Sequence, residues 1–292
     1  MDKILFSLPV HERPDIVRDQ IENLLYFTPG SLVCIHVSAS AAESVDEYKR
    51  HCDLPGVFIN PRRYETTAGK GILHTHISNF EHMAWQGEAF DKVMLISSNE
   101  MLIRKGLAEH VSRFRLGAQT EVFDRSVDWH LFRAEMLDDV RVRGMLDQLG
   151  LPIFFGGQAE GQFFNREIFD QVYKIYTSHF PMASCGFVTE EMIPPTVAAF
   201  STMNGIDAAL PITVCDYCTL LKMDIGVVDR IREGVGSLVS VKIPRTLRSP
   251  HHNVSTLASI FSIKRVPRED CELRRYVRSL ETEDAARPVL VA

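Results

Sequence analysis

The chain has 292 residues, of which 45% are hydrophobic and 24% charged, and its 32 Lys+Arg against 38 Asp+Glu leave a net charge of −6. That size and balance suit a single folded α/β domain with a core of its own, and exclude disorder, collagen and coiled coil as whole-chain descriptions. The mild acidity argues against a nucleic-acid partner, because neutralising phosphates takes a basic surface.

At the amino end, Ile4–Leu8 reads as a buried strand ended by the loop Pro9–Pro14. A helix follows with Val17, Ile21, Leu24 and Leu25 on one face, and Pro29-Gly30 stops it. Ser31–Val37 is a continuous β-branched run, as expected of a strand covered on both faces. Strand, helix, strand with short connections is a βαβ unit with parallel strands. Ala42–Arg50 reads as a helix, Val57–Asn60 as a strand, Ile77–Gln86 as a helix and Lys92–Ser97 as another buried strand. Further on, Arg133–Leu149, Glu167–Tyr176 and Glu190–Phe200 read as helices. Gly156–Asn165 reads as a glycine-punctuated strand or loop. Leu273, Tyr276, Val277 and Leu280 form the apolar stripe of a last helix. With no repeat or linker, one domain over residues 1–280 and a loose tail over 281–292 are expected.

The apolar runs Val93–Ile96 and Gly30–Val37 fall far short of the ~20 residues of a spanning helix. The amino end lacks the pattern of a secretory signal. Six cysteines do not make a small-secreted disulfide framework, so a cytoplasmic chain with reduced thiols is expected.

Several segments have the composition of a site. Cys34–Ser40 and Ser97–Glu100 follow buried strands, where open α/β sheets bind ligands, although each also reads as an ordinary turn or helix cap. His74 and His76, two residues apart, would share a face on a strand but not on a helix, and solvated or capping histidines explain them better than a metal does. Lys70 between two glycines suits a phosphate, yet the full P-loop pattern is absent. Glu190 and Glu191 fit the first turn of a helix capped by Thr189, and either could also serve as a general base. Cys215 and Cys218 have the C-x-x-C spacing but lack the second ligand pair of a zinc site, and buried structural thiols explain them. Lys264, Arg265 and Arg268, with Arg245 and Arg248, concentrate positive charge on an acidic chain. They form either a solvated face or an anion site.

In order along the chain, these segments resemble the core-2/I-branching N-acetylglucosaminyltransferase and xylosyltransferase family (glycosyltransferase family 14-like). The resemblance runs from Lys3 to Arg268. It is borne by His11 with Leu24-Leu25, Cys34-Ile35-His36-Val37-Ser38, Ile96–Glu100, Gly161–Phe164 with Asn165-Arg166, Glu190-Glu191 with Thr196, and Lys264 after an apolar strand. Ser38 stands where that family usually has an Asp. The resemblance implies a GT-A-like nucleotide-sugar-binding fold: α/β, with a mixed, mostly parallel central sheet flanked by helices. It also implies inverting, metal-independent transfer of a sugar from a nucleotide-diphosphate donor, a UDP-sugar being favoured, to a carbohydrate hydroxyl. No Asp-x-Asp occurs in the sequence, and basic side chains take the phosphate role in that family.

On this resemblance Glu191 is the catalytic base. His11, Ser38, Lys264, Arg265 and Arg248 meet nucleotide and phosphate, and Asn99, Glu100, Glu160 and Glu190 meet donor or acceptor sugar. No metal and no cofactor beyond the nucleotide sugar is expected. The context suggested is a cytoplasmic bacterial relative building surface polysaccharide. The alternatives are a non-catalytic carbohydrate- or partner-binding module on the same scaffold, and another nucleotide-dependent transferase such as a nucleotidyltransferase.

Overall fold

In the first strand, β1 (Ile4–Val10), alternate side chains enter two separate apolar clusters. The computed structural model describes residues 2–67, 71–122, 134–180, 188–214, 223–235, 237–239 and 254–286. Ile4, Phe6, Leu8 and Val10 face one cluster with Val17, Ile21, Leu24 and Phe27 of α1 (Pro14–Phe27), whereas Leu5 faces the other. The same split runs through β2 (Leu32–Val37), whose Val33, Ile35 and Val37 face α1 while Leu32 and Cys34 face the opposite side. A strand covered on both faces has no solvent side to keep polar, which is why these runs are continuously apolar.

The helix α2 (Val45–His51) opens with a capping box between Ser44 and Glu47, and β3 (Val57–Asn60) pairs parallel to β2. Then α3 (Ile72–Trp85) lies against β1 and β2. It starts five residues before the Ile77 expected from the pattern, so His74 and His76 sit on a helix rather than a strand. Gly71 makes that early start possible. It takes φ +77°, and a Cβ there would lie 2.6 Å from the Glu65 carbonyl.

Next come β4 (Lys92–Leu95), β5 (Glu100–Leu102), α4 (Leu107–Ser112), β6 (Leu116–Gly117) and β7 (Glu121–Val122). Ser97–Glu100, for which a helix cap was one reading, lead instead into the strand β5. The chain continues through α5 (Val140–Leu149), β8 (Phe155–Gly156), β9 (Phe163–Asn165) and α6 (Arg166–His179). After it, Thr189–Glu191 form a 3₁₀ turn and α7 runs Ile193–Met203. A single helix over 190–200 is ruled out by Pro194 and Pro195, which lack the N–H groups a continuing helix needs and fit only in its first turn. The remainder is β10 (Ala208–Ala209), α8 (Ile225–Glu233), β11 (Ser237–Val239), β12 (Val254–Thr256), β13 (Ser262–Lys264) and α9 (Glu272–Ala286). The last helix thus extends five residues past Glu281, where the sequence reading began a loose tail.

The seven-stranded sheet has the order β10-β6-β9-β4-β1-β2-β3, and only β9 runs against its neighbours. The fold is α/β, as the strand and helix pattern predicts, with the mixed, mostly parallel sheet flanked by helices that the resemblance implies. Pro9 is tolerated in a central strand because it shares the side of Ser7, whose carbonyl accepts from Ile96 at the end of β4. At Pro9 that side has no partner strand left to bond among the described residues.

One crossing sets the geometry of the site. Gly161 donates its N–H to the Leu95 carbonyl (2.8 Å) and accepts from the Ile212 N–H (3.0 Å), threading between β4 and the segment containing Thr213. It has φ +74°, and a Cβ would lie 2.2 Å from Thr213 Oγ1. Gly161→Ala is expected to cost about 3 kcal/mol or more in urea denaturation, from the left-handed backbone together with overpacking. Gly30→Ala, with φ +84° but nothing within 4 Å of the new methyl, should cost only about 1–2 kcal/mol. Equal losses at the two positions would contradict the crossing.

Candidate functional site

The carboxyl ends of β1 and β4 open into a cleft of about 380 Å³. Pro9 and His11 line it from the first, Leu95, Ile96, Ser97 and Ser98 from the second, and Ile72 and His76 from the start of α3. Ser40, Thr66 and Thr67 close one wall, and Ala159 and Glu160 the other. Strand ends of an open α/β sheet are where backbone groups and short polar side chains are left free to meet a ligand.

The Ala159–Glu160 wall is held by the Gly161 crossing, and Glu160 forms an ion pair with Lys264 at the end of β13. Lys264 reaches this point because β13 pairs antiparallel with β5, in a register that sets Lys264 opposite Glu100. Glu100 is itself buried. Its Oε1 accepts from the hydroxyls of Ser262 (2.5 Å) and Thr213, and its Oε2 from the Ser97 N–H (3.1 Å). Burial pushes its pKa up to about 7 in spite of those three donors.

Behind Glu160, Glu190 and Glu191 stand on the 3₁₀ turn packed against the start of α3. Desolvation raises Glu190 to about 7, helped by Glu160 and opposed by backbone N–H groups and by Lys264. Glu191 is held well above the usual carboxylate range by desolvation, then by Glu190 and Glu160, again opposed by Lys264. One oxygen of each, Oε2, is buried without a hydrogen-bond partner among the described residues. Unpaired buried oxygens of this kind favour the protonated acid.

The site residues expected from the sequence divide on this geometry. His11 and Glu160 line the cleft, Lys264 joins it through Glu160, and Glu190 and Glu191 are electrostatically coupled to that pair. Glu100 is a correction: bonded on both oxygens and only 1% exposed, it braces β5 against β13 and offers no carboxylate to a sugar. Ser38 is buried too. Its hydroxyl meets Thr66 and Ser40 (both 2.9 Å), so it clips the wall from behind while Ser40 and Thr66 face the cleft. Asn99 bonds to the Ser97 hydroxyl (3.2 Å), and its carbonyl accepts from the Val266 N–H. Arg265 is exposed at φ +69°, on the tight turn after β13. Thr196 is structural, tying Phe155 to the first turn of α7. Lys70, Arg245, Arg248, Cys215 and Cys218 lie outside the described residues.

Sequence reasoning missed Glu12. It is buried and accepts from Ser98 Oγ (2.6 Å), the His11 N–H (3.0 Å) and Arg268 Nε (2.7 Å). Burial pushes its pKa up, but these donors, with the charges of His11 and Arg268, outweigh that and hold it below the ordinary range. A charged residue directly after a buried strand was the available signal. His76, which the sequence offered only as a solvated, capping or metal-binding histidine, lines the cleft from α3.

Among the described residues no group of three or more His, Cys, Asp or Glu is arranged to hold a metal ion. Among them, too, no helix is long and apolar enough to cross a membrane.

No protein-family model matches the chain, and no curated protein matches it. Among solved structures it is similar to a mannosyltransferase from Pyrobaculum calidifontis in complex with GDP-mannose and Mn²⁺, at a TM-score of 0.41 and 13% identity. That similarity covers 72% of this chain and 55% of the mannosyltransferase, so the chain spans about half the length of that protein. It is also similar to a nucleoside-diphosphate-sugar pyrophosphorylase from Vibrio cholerae RC9, at a TM-score of 0.43 and 9% identity over 71% of this chain and 91% of that one.

The raised Glu190 sets a pH dependence. A carboxyl held up in the folded state contributes stability fully present below its ordinary range and lost as the pH rises through about 7. Glu190→Gln should therefore gain on the parent protein between pH 5 and pH 8, by on the order of 2–3 kcal/mol in urea denaturation. An identical difference at both pH values would show that Glu190 is ionised throughout.

Proposed function

We propose that the chain is a glycosyltransferase that moves a sugar from a nucleotide-diphosphate donor to a carbohydrate hydroxyl, with inversion and with basic side chains in place of a metal. The observation that supports this best is the Lys264–Glu160 ion pair at the cleft wall, beside two carboxyl groups whose protonation that ammonium influences. An ammonium already inside a polar cleft at the strand ends is suited to take up the charge that develops on a departing diphosphate. His11, exposed at the rim, is the second group suited to meet the donor. Arg265 and Arg248 stay in this reading as phosphate partners, and Asn99 and Ser38 as supports of the walls.

In this reading Glu191 removes the proton from the acceptor hydroxyl as that oxygen attacks the anomeric carbon from the face opposite the phosphate. The new carbon–oxygen bond forms as the bond to the phosphate oxygen breaks, and the negative charge passes to the nucleotide beside Lys264. Lys264 would then divide its charge between Glu160 and the diphosphate. Glu160 and Glu190 orient hydroxyls of donor or acceptor. A UDP-sugar is the favoured donor, and surface polysaccharide the favoured product.

The test is kinetic. Glu191→Gln should reduce turnover by about 10²–10⁴-fold with donor binding nearly unchanged. A base must be unprotonated to act, and Glu191 sits well above the ordinary carboxylate range, so kcat should climb as the pH rises past neutrality. Full activity in the variant, or a rate that falls over that range, would assign the base elsewhere.

A further inference from the structure

His76 lines the cleft, yet only 2% of it is exposed, and its Nδ1 meets Ser7 Oγ at 2.8 Å. The tautomer of a histidine follows from the direction of its hydrogen bonds, and here that direction can be traced from groups with no choice of role. The backbone N–H of Arg62 can only donate, and it donates to Asn60 Oδ1 (3.0 Å). This orients the Asn60 amide, whose Nδ2 therefore donates to Asn79 Oδ1 (3.1 Å) and Ser78 Oγ (2.9 Å). With its oxygen thus engaged, Asn79 donates from Nδ2 to the carbonyl of Cys34 (2.9 Å), which can only accept, and to Ser7 Oγ (3.1 Å).

Ser7 is fully buried and accepts from Asn79, so the acceptor in reach of its own proton is His76 Nδ1. If Nδ1 carried a proton instead, the Ser7 hydroxyl proton would be buried without a partner among the described residues, which is unfavourable. The relay runs in one direction, from Arg62 through Asn60, Asn79 and Ser7 to His76. It leaves the proton of the neutral ring on Nε2, the ring nitrogen that does not meet Ser7, on a side chain that lines the cleft. Burial, and then the nearby His36, hold the ring neutral by lowering its pKa to about 3.

We propose that His76 is a fixed, uncharged hydrogen-bond donor at the floor of the cleft, and that its Nε2–H binds an acceptor oxygen on the uncharged part of the ligand, a carbonyl of the base or an oxygen of the sugar. Its neighbours on that floor are the apolar Ile72, Leu95 and Ile96, whereas the cation that suits a phosphate, Lys264, stands at the Glu160 wall. A neutral donor with a locked tautomer discriminates between ligands because one without an acceptor at that point leaves a desolvated N–H unpaired. The ligand class rests on the glycosyltransferase reading; the tautomer does not.

Two measurements on the full chain test this. Long-range ¹H–¹⁵N correlation spectra of the imidazoles, assigned with His76→Phe, should show His76 as the Nε2–H tautomer between pH 6 and pH 8. Ser7→Ala should convert it to a mixture. Calorimetric titration with UDP and UDP-N-acetylglucosamine should show at least one of them binding about tenfold more weakly to His76→Phe. His76→Gln, whose amide nitrogen reaches the Nε2 position, should restore most of the affinity. An Nδ1–H tautomer in the parent protein, or unchanged affinity in His76→Phe, overturns the proposal. If neither uridine ligand binds the parent protein while the Nε2–H tautomer is seen, the donor assignment fails and the locked donor stands.

Discussion

The charge of Lys264 is the constraint around which the site is organised. Glu160 is paired with it directly, and the ionisation of Glu190 and Glu191 is held back by burial and by one another while Lys264 pulls the other way. Carboxyl groups in such proximity disfavour one another's ionisation, which adds to the burial that raises Glu190 and Glu191. An incoming anion that drew the ammonium from Glu160 would alter the protonation of both glutamates. On the proposed function, binding at the wall and proton transfer behind it would be linked through this single side chain.

That linkage depends on backbone geometry. Lys264 is placed by the β13–β5 register, and β5 is placed by Glu100, whose bonds to Ser262, Thr213 and Ser97 join three distant stretches of chain. Thr213 in turn packs on Gly161, the residue that sets the wall bearing Glu160. Glu12 does the equivalent work on the opposite side, fixing Ser98 and Arg268 around the end of β1. Both carboxyl groups are buried, and both spend their hydrogen-bonding capacity on holding the cleft in shape. A ligand therefore meets a preformed cavity and pays little to order it.

The strands at the centre of the sheet were legible because they are buried on both faces and hence continuously apolar, as in Leu32–Val37, whereas β6 and β10, two residues each, carry no such pattern. The helices were legible wherever an apolar stripe met a stop signal, as at Pro29-Gly30. Boundaries failed where one residue overrode the pattern: Gly71 let α3 start early, and Pro194 with Pro195 divided the stretch after Glu190. Within the site, Glu160, Glu190, Glu191 and Lys264 could be named from residue type and order, but their shared electrostatics could not, because they lie on three segments up to about a hundred residues apart. Glu100 looked like a ligand for the same reason that it is a brace: it follows a buried strand and is charged. Only its bonds to Thr213 and Ser262 distinguish the two roles. The His76 relay was hidden further still, since its polarity depends on the amide directions of Asn60 and Asn79.

The most direct measurement of the central claim is calorimetric titration of a panel of nucleotide sugars into the protein and into Lys264→Ala, each with magnesium and with EDTA. The account predicts that one donor binds the parent protein equally under both conditions and that the alanine variant loses most of that affinity. Binding that appears only with magnesium, or that survives unchanged without the ammonium, would contradict it.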